Sequence, residues 1–118
     1  EAPGVDEEIW RTTGAFVRSR NNPIYFEGRA ARGIGSPHTP GKNVWPIALT
    51  MQGLTSREKQ EREELLRVLT ETDAGTELMH ESFDVDCPER FTREWFAWAN
   101  SLFALFVVEQ RNLSVPGR

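Results

Sequence analysis

The segment that most constrains the fold is a run near the carboxyl end that is apolar on almost every side of a helix. Tryptophan, phenylalanine, leucine, alanine and valine fill most positions between Thr92 and Glu109. Because threonine is a residue type that caps helices, we predict a helix over residues 92–109. A helix with so little polar surface requires burial on several sides. In a chain of 118 residues with few other helices, this pattern indicates that packing partners are missing.

Three earlier segments also carry helical patterns. Asp6 is suited to cap a first helix over residues 6–19, where apolar residues recur on one face. A second helix is predicted over residues 44–54, with Pro46 tolerated in its first turn because early N–H groups have no helical partner. A Thr-Ser-Arg-Glu sequence matches the capping-box pattern and predicts a third helix over residues 56–71.

The segments between these helices are long and rich in turn-forming residues. Residues 24–28 are predicted to form a short extended segment, and residues 29–43 a loop with many glycines and prolines. A second irregular stretch begins near Asp73 and continues to Pro88. Loops of this length are uncommon in helical bundles and often carry function. The sequence therefore predicts an all-α fold with little strand and long functional loops.

Composition argues against several classes of function. The net charge of −4 and the scattered basic residues speak against nucleic-acid binding, which needs a surface rich in lysine and arginine. No run approaches the roughly 20 apolar residues of a membrane span, so no membrane partner is expected. Two histidines with the single Cys87 do not make a zinc site, and no glycine-rich nucleotide motif follows a strand. We therefore expect neither a metal nor a cofactor. A catalytic triad of Ser36, His38 and Asp84 is disfavoured because no nucleophile elbow surrounds the serine.

The first residues of the chain carry no initiator methionine and no charged start followed by an apolar run. We interpret the chain as a fragment or processed product of a longer parent protein. The missing signal peptide then says little about the compartment of that parent, which is either cytoplasmic or exported.

The best candidate for chemistry is Glu81, in a loop between His80 and Ser82. Arg93 and Trp95 follow closely in the sequence. Aromatic rings stack on the apolar faces of a pyranose, charged and amide groups bind its hydroxyls, and a carboxylate serves as acid or base. The pattern therefore indicates a sugar site. Two alternatives stay open, since the tryptophans of this region can be helix core and the glutamate a solvated loop acid.

Several separate motifs together resemble the C-terminal part of glycoside hydrolase family 125, the metal-independent exo-α-1,6-mannosidases. They occur in the family's order over roughly residues 20–110. The motifs are residues 26–28, 33–39, 44–48, 79–83, which include His80-Glu81-Ser82, and 91–100.

This resemblance implies an (α/α)6 toroid, of which residues 1–118 are a C-terminal fragment of a single catalytic domain. It implies an inverting glycosidase that removes α-1,6-linked mannose from the non-reducing ends of glycans. In that mechanism an acid and a base lie ~6.5–9.5 Å apart. Glu81 matches the general base, whereas the general acid is an upstream aspartate that no motif of this chain matches. We expect the isolated chain to be inactive and to need the remainder of the toroid for a complete site.

The resemblance also implies a set of substrate-binding side chains around the base. Alternatives remain for most of them: the histidines can make structural loop hydrogen bonds, the arginine can orient Glu81 or simply lie on the surface at a helix start, and the asparagine can bind a neighbouring loop. For Trp98 and Phe96, a place in the core between helices explains the aromatic side chain about as well as contact with the sugar does. The predicted substrate-binding residues are Ser36, His38, Trp45, His80, Arg93, Trp95 and Asn100.

A competing hypothesis from another functional class is a non-catalytic sugar-binding or helical interaction module that keeps the pocket walls. The missing general acid favours this hypothesis for the chain taken alone. An upstream coding region with further helical hairpins and an acidic loop would favour the enzyme. Poor folding of the isolated chain would indicate that its apolar last helix lacks partners.

Overall fold

A computed structural model describes residues 6–114 of the chain. The described residues contain four helices joined by short strands and turns. The helices are α1 (Glu7–Val17), α2 (Pro46–Thr55), α3 (Lys59–Glu71) and α4 (Ala97–Ser114). The strands are β1 (Tyr25–Glu27), β2 (Arg32–Ile34), β3 (Asn43–Val44), β4 (Ser82–Asp84) and β5 (Phe91–Thr92).

The strands form two small antiparallel sheets, so the expected all-α fold is not confirmed. β1 pairs with β2, and β4 lies between β3 and β5. Val44 opposes Phe83, and a bridge from Gly35 to the same valine links the two sheets. The extended segment predicted over residues 24–28 contains β1, whereas the other strands lie where the sequence predicted loops or the start of a helix, because each spans only two or three residues. Buried backbone N–H and C=O groups need partners, and in these long connections they pair with each other.

α1 begins as the sequence predicted. The carboxylate of Asp6 accepts hydrogen bonds from the backbone N–H groups of Glu8, at 2.9 Å, and Ile9, at 3.1 Å. The helix ends at Val17, two residues before the predicted end at residue 19, and none of its residues is buried. Its apolar face is open to solvent, with Ile9 64% and Phe16 53% exposed.

The start of α2 is predicted correctly within two residues, but the capping box of α3 is wrong. Pro46 occupies the first turn of α2, preceded by an extended Trp45. Thr55, the capping residue of the box, is the last residue of α2, and its hydroxyl donates to the carbonyl oxygen of Met51 at 2.8 Å. It therefore cannot cap α3, which begins only at Lys59 after an extended Ser56.

The largest error of the helix predictions is α4, which starts and ends five residues later than the predicted range of 92–109. Thr92 does not cap the helix, because it lies in β5 opposite Ser82. Arg93, with φ of 46°, then turns the chain, and the helix runs from Ala97 to Ser114. Among residues 6–114, the helices that pack against α4 are α2 and α3. The expected shortage of packing partners is visible as large apolar side chains left exposed: Trp98, Leu105, Val107, Val108 and Leu113.

The core lies between α2, α3, α4 and the three-stranded sheet. Gly53 of α2 allows the ring of Phe106 in α4 to approach its backbone, since a Cβ at this position would overlap the ring. The buried apolar residues of this core are Ala31, Val44, Leu49, Leu65, Leu69, Met79, Phe83, Val85, Ala99 and Phe106. Within residues 6–114, no helix is long and apolar enough to cross a membrane.

Candidate active site

Glu81 directly precedes β4, and its backbone is held by the turn that follows β5. The N–H of Glu81 donates to the carbonyl oxygens of Thr92, at 3.1 Å, and Arg93, at 3.2 Å. The side chain is 18% exposed, and Oε2 lies 3.5 Å from Nε of Arg93. A fixed backbone and a mostly buried side chain suit a general base or a ligand-binding acid, which must keep one orientation.

Arg93 contacts Glu81 through both its backbone and its side chain. Its φ of 46° lies in the left-handed region, which costs a non-glycine residue about 1–2 kcal/mol. Its side chain is 69% exposed, so most of the guanidinium faces solvent. The 3.5 Å contact fits orientation of Glu81 and the exposure also fits a surface arginine, whereas contact with a sugar stays a prediction.

A buried chain of polar groups lies behind Glu81. Asn43 Nδ2 donates to the hydroxyl of Ser82 at 2.9 Å, and that hydroxyl lies 2.6 Å from the hydroxyl of Thr92. These bonds join β3, β4 and β5 at the point where Glu81 enters the sheet. Sequence reasoning missed Asn43 and misassigned Thr92, because their partners lie 39 and 10 residues away and no local pattern marks them.

His80 is buried and has no free ring nitrogen. Nδ1 lies 2.7 Å from the carbonyl oxygen of Glu94, and Nε2 lies 3.2 Å from that of Asp73. The ring stacks on Phe91 with centroids 3.9 Å apart. Because both nitrogens face backbone carbonyls and the residue is only 1% exposed, the geometry favours the structural alternative over contact with a sugar hydroxyl.

Asn100, in the first turns of α4, binds the loop that precedes His80. Its Oδ1 accepts from Met79 N at 3.0 Å, and its Nδ2 donates to the carbonyl oxygens of Met79 and Phe96, each at 2.9 Å. The neighbouring-loop alternative for this amide is therefore the one that the geometry supports.

The connection between β2 and β3 contains the predicted residues Ser36 and His38. The serine hydroxyl accepts a hydrogen bond from the backbone N–H of His38 at 3.1 Å. The imidazole of His38 is exposed. Trp45 anchors this connection, because its Nε1 donates to the hydroxyl of Thr39 at 3.1 Å. The indole of Trp45 also meets the ring of Phe96 edge to face at 6.0 Å. The structure therefore brings this loop next to the start of α4.

Two tryptophans at the start of α4 are largely open to solvent. Trp95 is 62% exposed, in agreement with a stacking role. Trp98 is 71% exposed among the described residues, and its core and stacking alternatives both stay predictions. Its ring rests edge to face on Phe96, with centroids 5.7 Å apart. Together these rings form an aromatic surface at the amino-terminal end of α4, just after Arg93.

A cavity of about 750 Å³ lies elsewhere, between α3 and the β1–β2 hairpin. None of the predicted site residues lines it. Burial raises the pKa of the Glu61 carboxyl on its wall, but hydrogen bonds from Ser56 and Gln52, with nearby Arg18 and Arg32, lower that pKa below its ordinary value. The lining of the cavity is rich in charged side chains rather than apolar surface, so we do not assign the cavity as the sugar site. Between Asp6 and Ser114, no cluster of three His, Cys, Asp or Glu side chains is arranged to hold a metal ion.

A comparison with protein families identifies the family of this chain. The family model of metal-independent α-mannosidases, GH125, matches residues 2–108. The chain belongs to this family. The resemblance stated from the sequence motifs is thereby confirmed.

Two proteins, one of known structure, are similar to this GH125 chain. A metal-independent α-mannosidase of Streptococcus pneumoniae, solved in a non-productive complex with α-1,6-mannobiose, superimposes with a TM-score of 0.88 and 44% identity over 92% of this chain. The meiotically up-regulated gene 157 protein of Schizosaccharomyces pombe is 45% identical over 105 residues, or 88% of this chain. The chain spans only 25% of the first protein and 21% of the second.

Proposed function

We propose that this chain is part of an inverting exo-α-mannosidase that releases α-1,6-linked mannose from the non-reducing ends of glycans, with Glu81 as the general base. The observation that carries the proposal is the arrangement of Glu81. Its carboxylate is mostly buried, its backbone is tied to β5, and Arg93 lies 3.5 Å from Oε2. The α-1,6-mannobiose in the S. pneumoniae relative supports the choice of linkage.

In an inverting reaction Glu81 removes a proton from a water molecule as that water attacks the anomeric carbon. A second carboxyl group, ~6.5–9.5 Å away, protonates the departing glycosidic oxygen. The base must therefore stay in place while a water molecule fits between it and the sugar. The two backbone hydrogen bonds of Glu81 and the guanidinium of Arg93 are suited to hold the carboxylate in one orientation.

The sugar-binding part of the proposal rests on exposed groups near the base. Trp95 offers an open indole face for the apolar side of a pyranose. The exposed imidazole of His38, beside Ser36, is free to bind hydroxyl groups, and Trp45 holds their loop against α4. His80 and Asn100 contribute less directly, since backbone groups occupy their polar atoms.

The proposed parent fold is an (α/α)6 toroid in which residues 1–118 form part of a single catalytic domain. The exposed apolar side of α4 supports this, because the rest of a toroid would cover it. The general acid is proposed to lie in another part of the parent. Since general acid help is typically worth about 10²–10⁴-fold, we propose that this chain alone does not hydrolyse mannosides.

The test is hydrolysis of α-1,6-mannobiose by the full-length gene product, followed by NMR of the anomeric proton. We expect β-mannose as the first product, and its release should fall by at least about 10²-fold in Glu81→Gln. Glu89→Gln makes the same chemical change at an exposed glutamate. It is the control and should retain activity. Release of α-mannose first, or full activity of Glu81→Gln, would refute the mechanism.

The alternative function is a sugar-binding module without hydrolysis. The exposure of Trp95 and Trp98 supports it as well as it supports the enzyme. Calorimetric binding of α-1,6-mannobiose by a folded full-length protein that releases no mannose would favour this alternative.

A further inference from the structure

The structure assigns Asn100 a positioning role: its side-chain amide holds the backbone of Met79 and thereby fixes the place of Glu81. This inference rests on the proposed function, because it explains how α4 controls the proposed base. Asn100 does not touch Glu81. It acts through the peptide groups that precede it.

The contact between Asn100 and Met79 has two points. Oδ1 accepts from Met79 N at 3.0 Å, and Nδ2 donates to Met79 O at 2.9 Å. The second hydrogen of Nδ2 is also used, by the carbonyl oxygen of Phe96 at 2.9 Å. An amide has two N–H donors, so both are occupied by backbone acceptors and none remains for a ligand.

The anchor itself is well fixed in the helix. Asn100 N donates to Phe96 O at 3.0 Å, and the adjacent Ala99 is fully buried. Phe96 N also donates to Met79 O at 3.1 Å, so the carbonyl of Met79 accepts from both ends of the first turn of α4. A movement of this turn must therefore move Met79.

The segment between this anchor and Glu81 transmits the position. The side chain of Met79 is buried, and His80 is stacked on Phe91 with its ring nitrogens facing the carbonyl oxygens of Glu94 and Asp73. Glu81 N is bound on the far side by Thr92 and Arg93. Because each residue of the segment is held, a displacement of Met79 is passed on to Glu81. A misplacement of about 1 Å by a remote substitution can cost about 10²-fold in rate.

The substitution Asn100→Asp tests this contact with little change in shape. It keeps an acceptor for Met79 N but turns an oxygen toward the carbonyls of Met79 and Phe96, which repel it. Asn22 supplies a matched control, because its Nδ2 donates to Val17 O at 2.8 Å and its Oδ1 accepts from Ile24 N at 3.1 Å. Asn22→Asp makes the same chemical change at a backbone contact near the end of α1.

In the full-length protein acting on α-1,6-mannobiose, we expect Asn100→Asp to lower kcat by about 10²-fold with KM near the wild-type value. Asn22→Asp should leave both constants near wild type. If Asn100→Asp does not fold, Asn100→Gln keeps the amide but displaces it, and a smaller loss confined to kcat is expected. A raised KM with unchanged kcat would show that Asn100 binds the sugar, and equal effects of the two aspartates would also overturn the inference.

Hydrogen exchange separates this inference from the proposed function. We expect faster amide exchange over residues 79–81 in Asn100→Asp and not in Asn22→Asp. If the wild type releases no mannose, or if Glu81→Gln stays fully active, the proposed function fails while the exchange result still decides the positioning role. Unchanged exchange at this segment would overturn it, whatever the activity.

Discussion

Arg93 holds Glu81 twice: its carbonyl oxygen accepts from Glu81 N at 3.2 Å, and its Nε lies 3.5 Å from Glu81 Oε2. It does so with a φ of 46°, a conformation that an arginine adopts only at a cost. Backbone strain of this kind persists where the surrounding structure imposes it, and it is often found at functional sites. The strained turn therefore adds to the reasons for placing the chemistry at Glu81.

Two substitutions of Arg93 separate the effect of its backbone conformation from the effect of its charge. Arg93→Gly and Arg93→Ala both remove the guanidinium and should lower mannosidase activity of the full-length protein to a similar extent. Only the alanine keeps the left-handed penalty, so we expect the glycine variant to be more stable by about 1 kcal/mol. Chemical unfolding measures the difference. Equal stability of the two variants would mean that the left-handed turn is not retained in solution.

Trp95 should contribute to sugar binding rather than to stability. Because its side chain is 62% exposed, Trp95→Ala should leave the unfolding temperature nearly unchanged. Loss of about 1 kcal/mol of apolar contact with the sugar should raise KM roughly fivefold while kcat changes little. Phe16→Ala removes another exposed aromatic ring, in α1, and serves as the control. An unchanged KM in Trp95→Ala would remove this tryptophan from the site.

The close approach of α2 and α4 depends on Gly53. A Cβ at this position would overlap the ring of Phe106, which is only 1% exposed and has little room to move. We expect Gly53→Ala to destabilise the protein by about 1–3 kcal/mol. Gly14→Ala is the matched comparison, since its Cβ would meet only the flexible end of Arg18. In that helix interior alanine should be neutral or stabilising by up to about 1 kcal/mol. Thermal unfolding that ranks the two variants in the opposite order would contradict this packing.

Glu61 should make stability depend on pH. Burial raises the pKa of its carboxyl, but the hydrogen bonds from Ser56 and Gln52 outweigh burial and lower that pKa below its ordinary value of 4.5. A lowered pKa in the folded state means stabilisation that is present above the pKa of the unfolded state and is lost as pH falls through that of the folded state. The stability difference between wild type and Glu61→Gln should therefore be present above the ordinary pKa of 4.5 and shrink as the pH falls below it, through the lowered pKa of the folded state.

Ser56→Ala checks the cause of this effect. It removes one of the hydrogen bonds to the Glu61 carboxylate, so the acid-induced loss of stability should become smaller than in the wild type. Unfolding temperatures measured across the same pH range provide the comparison. An unchanged pH dependence in both Glu61→Gln and Ser56→Ala would show that this carboxylate is not stabilised in the fold.

Local sequence signals predicted the helices better than their exact starts. The cap at Asp6 and the proline in the first turn of α2 were correct because both act within a few residues. The capping box before α3 and the cap at Thr92 were wrong, since the hydroxyls of Thr55 and Thr92 have partners outside the expected turns. The extended segment over residues 24–28 was correct for β1, but the other strands and the pairing into two sheets were missed because strands of two or three residues leave no periodic pattern.

The sequence by itself determined the family, through motifs whose order and residues are specific, and it singled out Glu81 among many acids. Only the tertiary structure decided which neighbouring polar groups are free to bind a ligand. His80 and Asn100 look alike as candidates in the sequence, yet their atoms are bound to backbone groups 14 and 21 residues away. Such contacts depend on how strands and helices pack, and buried polar groups take whatever partners that packing supplies.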